Sequence, residues 1–379
     1  MTNRKVAEVF HPGEFLAEEL EIRGISQVDL AEILGRDAQL INGIIAGKRS
    51  ITPETAIGLG RAFGTGAQYW MNLETSFQLS KAKEKHRNES LLMQLYESFP
   101  VREMIRRHWI EQSNNVDVLI NRFCQLLDID SLNNEPFLDG AFRKSAPDSE
   151  FAPAEKAWFC RVKQLAKTVF LKERYSEKKL NVCLEQLRLL LTEPEEVRKV
   201  PGILADAGIR FLIVEHLPKT RIDGVCFWLD EDSPVVALSM RFDRNDWFWH
   251  TLIHELIHIK RRDGLDKEII EIDLVGENKV SSETRSENEK SVDSEAADFL
   301  IPKKKIESFI NRIRPHYYKI KIMSFSQLNN IHPGITVGQL QHRKEIPYSH
   351  NREMLAKVRS FITPYAFTDG WGHTPIMQS

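Results

Sequence analysis

HTLIHELIH, residues 250 to 258, places three histidines at four-residue spacing, with a glutamate directly after the second. In a helix, positions i and i+4 share one face about 6 Å apart, so His254 and His258 can both reach one cation, and Glu255 projects beside them. Such a stripe is either one face of a buried helix, each histidine satisfied by core partners, or a metal-binding face. HExxH spacing suits the second: the metal lowers the pKa of a water and the glutamate takes its proton. A catalytic zinc site also needs a third protein ligand and a position left open. Downstream, in EKSVDSEAADFLIP, Glu289 stands four residues before Asp293, so both fall on one face of a second helix. Glu289 can then complete the metal site while Asp293 orients a ligand histidine. Glu287 and Glu295 compete for the third-ligand role. His250, one turn before His254, is open between a structural role, a substrate or transition-state group, an adventitious ligand and a carboxylate partner.

The surrounding chain constrains the setting. Its 379 residues suffice for two or three domains, and 42% apolar with 28% charged residues is the composition of an ordinary soluble protein. Cys124, Cys160, Cys183 and Cys226 form no CxxC pair, which argues against a cysteine-ligated zinc or a disulfide framework and predicts buried, reduced thiols. The N-terminus lacks the apolar core of a signal peptide, and no run of 18 apolar residues can span a bilayer. The expectation is a cytoplasmic protein without membrane attachment.

Residues 11 to 80 read as a set of helices. Pro12 opens the first and Gly24 follows its end. Ser26 caps SQVDLAEILG, which puts Val28, Leu30, Ala31, Ile33 and Leu34 on and around one face. Leu40, Ile41, Ile44 and Ile45 repeat at helical spacing, and Thr52 with Pro53 opens another helix. Up to about residue 195 the pattern stays helical. IRFLIVEHL, GVCFWL and PVVALSMR then read as short strands of a small sheet. An edge of that sheet beside the HExxH helix could hold an extended peptide by strand addition. Residues 276 to 291 read as a polar loop able to gate access, Pro302 ends the next helix, and SFSQLNNIHPGITVGQLQHR has the shape of a second helix-turn-helix.

Two family resemblances follow. RFDRNDWFWHTLIHELIHI, with the downstream glutamate and the segment ending at Pro302, resembles the ImmA/IrrE metallopeptidases over about residues 195 to 345. That resemblance implies a gluzincin-like endopeptidase carrying Zn2+ or Mn2+, one per chain, that cleaves a helix-turn-helix repressor. Registering on Pro302 places the third ligand at Glu289 and the following polar residue at Asp293. Two positions depart from the pattern: bulky Ile257 replaces a small residue, and His250 replaces an aromatic. HPGEFL, SQ..LA..LG, IN.I..GKRSIT and FGT...YW, in order over residues 8 to 80, resemble the DNA-binding domain of HigA-type antitoxins in the Cro/C1 (XRE) superfamily. Carried over, Gln27 contacts phosphate, Arg36, Asp37, Gln39 and Asn42 reach bases, and Lys48 and Arg49 clamp the backbone. Residues 1 to 82 nevertheless hold eight Lys/Arg against ten Asp/Glu, an acidic balance for a phosphate-binding module. Asp37 could accept from a cytosine amine, but it would also repel phosphate.

The resulting expectation is mainly α with α+β. An all-α helix-turn-helix domain spans 1–80, a helical connector 81–195, a zincin-like α+β peptidase with a small sheet 196–345, and a tail 346–379. Functionally it is a homodimeric regulator that binds operator DNA and cleaves a regulatory protein, either a partner repressor or itself. The alternatives are a non-enzymatic HigA-like antitoxin whose C-terminal domain binds a toxin or signal, and a peptidase whose helix-turn-helix only recruits its substrate.

Overall fold

The computed structural model describes residues 9–127, 142–144, 152–263, 265, 268–272 and 287–375. The chain forms two compact units, Met1–Leu95 and Tyr96–Ser379.

The first unit is helical: α1 (Pro12–Arg23), α2 (Gln27–Leu34), α3 (Ala38–Ile45), α4 (Pro53–Phe63) and the start of α5 (Ala67–Ser98). Its helix ends follow local chemistry. The Ser26 hydroxyl accepts from the Asp29 N–H, Thr52 accepts from the Thr55 N–H, and Gly24 closes α1 at φ 64°. Leu16, Leu30, Ile41, Ile44, Leu59 and Trp70 form the core. A Cβ on Gly13 would lie 2.1 Å from the Ile44 carbonyl oxygen, so only glycine lets α1 approach α3 this closely. Two expectations fail on α2: Val28 and Ile33 are 57% and 61% exposed. At 100° per residue each lies roughly 110° from the centre of the Leu30–Ala31–Leu34 strip, and a two-turn helix buries only that strip.

The second unit is built on a six-stranded mixed sheet, β1 (Phe142–Lys144), β2 (Arg210–Val214), β3 (Ile222–Trp228), β4 (Pro234–Leu238), β5 (Glu268–Ile272) and β6 (Phe367–Asp369), in the order β1-β5-β3-β4-β2-β6. β3 runs antiparallel to both β4 and β5, whereas β2 is parallel to β4 and β6. The helices are α6 (Val101–Arg106), α7 (Val116–Leu127), α8 (Pro153–Thr168), α9 (Glu177–Arg188), α10 (Val200–Asp206), α11 (Asn245–Lys260), α12 (Glu287–Leu300), α13 (Lys303–Ile313), α14 (Lys319–Leu328), α15 (Pro333–His342) and α16 (Arg359–Ile362). α11 packs on β3, β4, α12 and α15.

Two boundaries drawn from sequence, those of the connector and the tail, lie elsewhere in the structure. The segment expected as a connector is divided: residues 81–95 belong to the first unit, and from Tyr96 on it belongs to the sheet unit, where Trp158 of α8 donates to the Val214 carbonyl at 2.9 Å and Phe159 packs edge-on against Phe227. The expected tail also belongs to it, because β6 extends the sheet and Asp369 forms a buried ion pair with Arg161 at 2.7 Å. The sheet edge expected beside the HExxH helix is absent at β3, which has a neighbour on each side. The helix pair in SFSQLNNIHPGITVGQLQHR forms as α14 and α15, but α15 buries Ile335, Val337, Leu340 and Gln341, so it offers no exposed reading face. The four cysteines are buried and no disulfide joins them. Among the described residues no helix is long and apolar enough to cross a membrane. Within the segment expected as a polar gate, residues 276–286 lie outside the described residues.

Candidate metal centre and helix-turn-helix surface

α11 is buried from Asn245 to Ile259, which makes its histidine stripe an interior feature. His254, Glu255 and His258 are each 0% exposed and Glu289 5%. α11 and α12 lie side by side and bring the ligand candidates together: His254 Nε2 to His258 Nε2 is 3.1 Å, and Glu289 Oε2 stands 3.5 Å from the first and 3.4 Å from the second. Donors at zinc-ligand distance around a tetrahedral ion are separated by ~3.3 Å, so this triangle fits one Zn2+-sized cation.

The other imidazole nitrogens face carboxylates. His254 Nδ1 is 3.1 Å from Asp293 Oδ1, the orienting contact expected from sequence, and His258 Nδ1 is 2.9 Å from Asp263 Oδ2. With each Nδ1–H directed to a carboxylate, both Nε2 lone pairs point at the Glu289 carboxylate, an arrangement a cation stabilises. A proton on His258 answers the same need. Burial works against a charged His258, but Asp263 and Glu289 outweigh it and raise its pKa to about 9. Burial likewise opposes ionisation of Asp293, yet His250 and His254 hold it well below the usual carboxylate range.

Glu255 lies under β3. A Cβ on Gly224 would sit 2.5 Å from Glu255 Oε1, so the glycine makes room for the carboxylate. His250 Nε2 is 3.6 Å from Asp293 Oδ1, and its ring stands 6.2 Å from that of His342. His250 thus reaches the same carboxylate oxygen that orients His254. The two competing third ligands are set aside by position. Glu287 is exposed and pairs with Lys290 at 2.7 Å, whereas Glu295 pairs with Arg261 at 2.8 Å.

Asp263 was not anticipated from sequence. Arg262 takes φ 58°, which turns the chain back at the end of α11 so that the Asp263 N–H donates to the His258 carbonyl at 2.9 Å. The available signal was an acidic residue after two arginines just past the helix end at Lys260. Arg261 then ties α11 to α12 through Asn288, Ser291 and Glu295.

On the first unit Arg36, Asp37, Gln39, Asn42, Lys48 and Arg49 are exposed and Gln27 is half-buried. Asp37 has a structural duty: it is the N-cap of α3, and its Oδ1 accepts from the Gln39 N–H at 2.8 Å. The Lys48 and Arg49 N–H groups both donate to the Gly43 carbonyl, which fixes the turn presenting these two cations.

Comparison with known proteins bears on this unit. Residues 16–70 match the helix-turn-helix family. Virulence-associated protein I of Dichelobacter nodosus is 38% identical over 86 residues, which cover 22% of this chain and 80% of that protein. The Escherichia coli K12 HTH-type transcriptional regulator YddM is 29% identical over 80 residues, covering 21% of this chain and 85% of its own. Among solved structures, Pseudomonas aeruginosa antitoxin HigA with the higBA promoter shares 38% identity over 22% of this chain and 90% of that one, with a TM-score of 0.21. Each of these likenesses spans about a fifth of the chain.

Proposed function

We propose, from the premise that this chain belongs to the helix-turn-helix family through its N-terminal domain, that it is a DNA-binding transcriptional regulator carrying a metal-dependent endopeptidase in its second unit. The DNA-binding half is supported by the family and by relatives named as HTH-type transcriptional regulators. Operator DNA is the nucleic-acid partner, and a homodimer would present two copies of α3 to successive major grooves.

The observation that carries the peptidase half is the His254–His258–Glu289 triangle set beside Glu255. Zn2+ or Mn2+ held there would polarise a scissile carbonyl and make water a nucleophile at neutral pH. Glu255 takes the proton of the attacking water and delivers it to the departing amine. Gly224 leaves space for that carboxylate, while Asp293 and Asp263 hold the two imidazoles in the tautomer that presents Nε2. The substrate is a regulatory protein, a partner repressor or another copy of this chain.

One observation favours a second reading. The motif side chains are fully buried, as in a structural metal site serving an antitoxin-like regulator that binds a toxin or signal. Metal content by mass spectrometry, together with cleavage of a proteome-derived peptide library, separates the two. The peptidase reading expects near one equivalent of metal in wild type, lost in Glu289→Ala and kept in Glu295→Ala, with library cleavage that stops in Glu255→Gln while its metal remains. Metal without cleavage selects the structural reading. Absence of metal after zinc and manganese loading removes both.

A further inference from the structure

We infer that the edge of β3 now paired with β5 is the peptide-binding cleft of the metal centre, and that Glu268–Ile272 fill it as the chain's own strand in place of an extended peptide. The inference rests on reading the centre as a peptidase site, and it begins from where the helix lies under the sheet.

Thr251 and Glu255 of α11 meet β3 at Gly224, whose Cβ would lie 2.9 Å from Thr251 Cγ2 and 2.5 Å from Glu255 Oε1. Leu252 and Leu256, on one flank of that contact line, join the core formed with Val236 and Leu238 of β4. At 100° per residue His254 and His258 fall on the opposite flank of the Thr251–Glu255 line, and β5 is the strand that borders β3 on the side away from β4. A peptide laid across the metal ligands in extended form therefore runs along the β5 side of β3.

β5 already holds that position. It pairs antiparallel with β3, Cys226 opposite Ile269, Val225 opposite Ile270 and Gly224 opposite Glu271. The register shifts between Ile222 and Gly224, so the irregularity falls at the residue pair nearest Glu255. Strand addition draws its affinity from main-chain hydrogen bonds along an exposed edge, and β3 has such an edge only when β5 leaves. Complete burial of His254, Glu255 and His258 is what a filled cleft produces. The ligand class follows from the occupant: an extended segment of about five residues, antiparallel to β3, in the style of Glu-Ile-Ile-Glu-Ile.

The test uses the full-length, zinc-loaded protein. Ile269→Pro removes the β5 backbone N–H that faces β3 opposite Cys226, with Ile269→Val as the conservative control. Three quantities are read: the rate of zinc transfer to a chelator, hydrogen exchange at the Cys226 amide, and binding of a labelled synthetic peptide KEIIEID. Expected for Ile269→Pro are zinc loss and amide exchange at least about tenfold faster, with saturable peptide binding that wild type and Ile269→Val lack. Unchanged rates and no peptide binding, with circular dichroism unchanged, overturn the inference. If circular dichroism shows that Ile269→Pro has lost structure, Ile269→Gly is read in its place by the same criteria. If wild type takes up no zinc, the peptidase reading falls, and exchange with peptide binding alone decide whether β5 is a displaceable strand.

Discussion

Asp263 Oδ2 lies 2.9 Å from His258 Nδ1, five residues along the chain and just past the end of the helix carrying the histidine. His254 has the matching contact from another helix, 3.1 Å to Asp293. Each ligand imidazole is thus aimed by its own carboxylate, and carboxylates in this position commonly contribute 10–100-fold to metal affinity. Asp263→Asn and Asp293→Asn are each expected to weaken zinc binding by roughly that factor, measured by competition with a chelating dye. Affinity unchanged in both variants would falsify the orienting role.

Gly224 sets the height of Glu255 beneath the sheet. A methyl group there collides with the carboxylate at 2.5 Å and with Thr251 at 2.9 Å, and neither can retreat into open space because both residues are buried. Overpacking of this kind costs about 1–3 kcal/mol. Gly224→Ala is expected to lower the unfolding free energy by that amount and to reduce library cleavage at least tenfold, with zinc stoichiometry retained. Full cleavage by a stably folded Gly224→Ala protein would show that Glu255 is not positioned from β3.

The parts that could be read from sequence share one property: their determinants are local. Ser26, Thr52 and Gly24 act within a few residues, and spacing of four along a helix brought His254, His258, Glu289 and Asp293 to facing stripes. Asp263 escaped because its reach depends on the left-handed turn at Arg262, a conformation the side chain does not advertise. The sheet was legible only in its interior. β6 pairs with β2 across some 150 residues and β5 with β3 across about 45, and no local pattern fixes a neighbour at that range. For the same reason the true extent of the second unit was hidden, since Trp158 and Asp369 join it through contacts distant in sequence.

His258 gives the metal-free protein a defined pH response. Burial alone would push its pKa down, but Asp263 and Glu289 raise it from 6.5 to about 9. The folded state then binds the proton more tightly than the unfolded chain, so this stabilisation is full below pH 6.5 and is lost as pH rises through about 9. A metal ligand must be neutral, so zinc uptake at pH 8 is expected to release about one proton per site. Calorimetric titration in two buffers of different ionisation enthalpy measures that release. In thermal scans the metal-free Tm is expected to fall between pH 6.5 and 9, and the fall should shrink in His258→Gln. Uptake without proton release would place the proton elsewhere.

Asp37 divides two accounts of the helix-turn-helix face. As the N-cap of α3 it holds the Gln39 N–H at 2.8 Å, and loss of such a cap costs about 1 kcal/mol. Asparagine caps equally well but carries no charge, so the two substitutions separate structure from electrostatics. Asp37→Ala is expected to destabilise the first unit by about 1 kcal/mol, whereas Asp37→Asn leaves its unfolding unchanged. On a random-sequence duplex only phosphate contacts count, and the carboxylate repels them. Asp37→Asn should therefore bind such DNA several-fold more tightly, with the advantage shrinking as salt is raised. Fluorescence anisotropy at two salt concentrations reads the difference. Weaker binding by Asp37→Asn to random duplex would mean that the carboxylate supports the bound geometry in a way its capping bond and its charge do not explain.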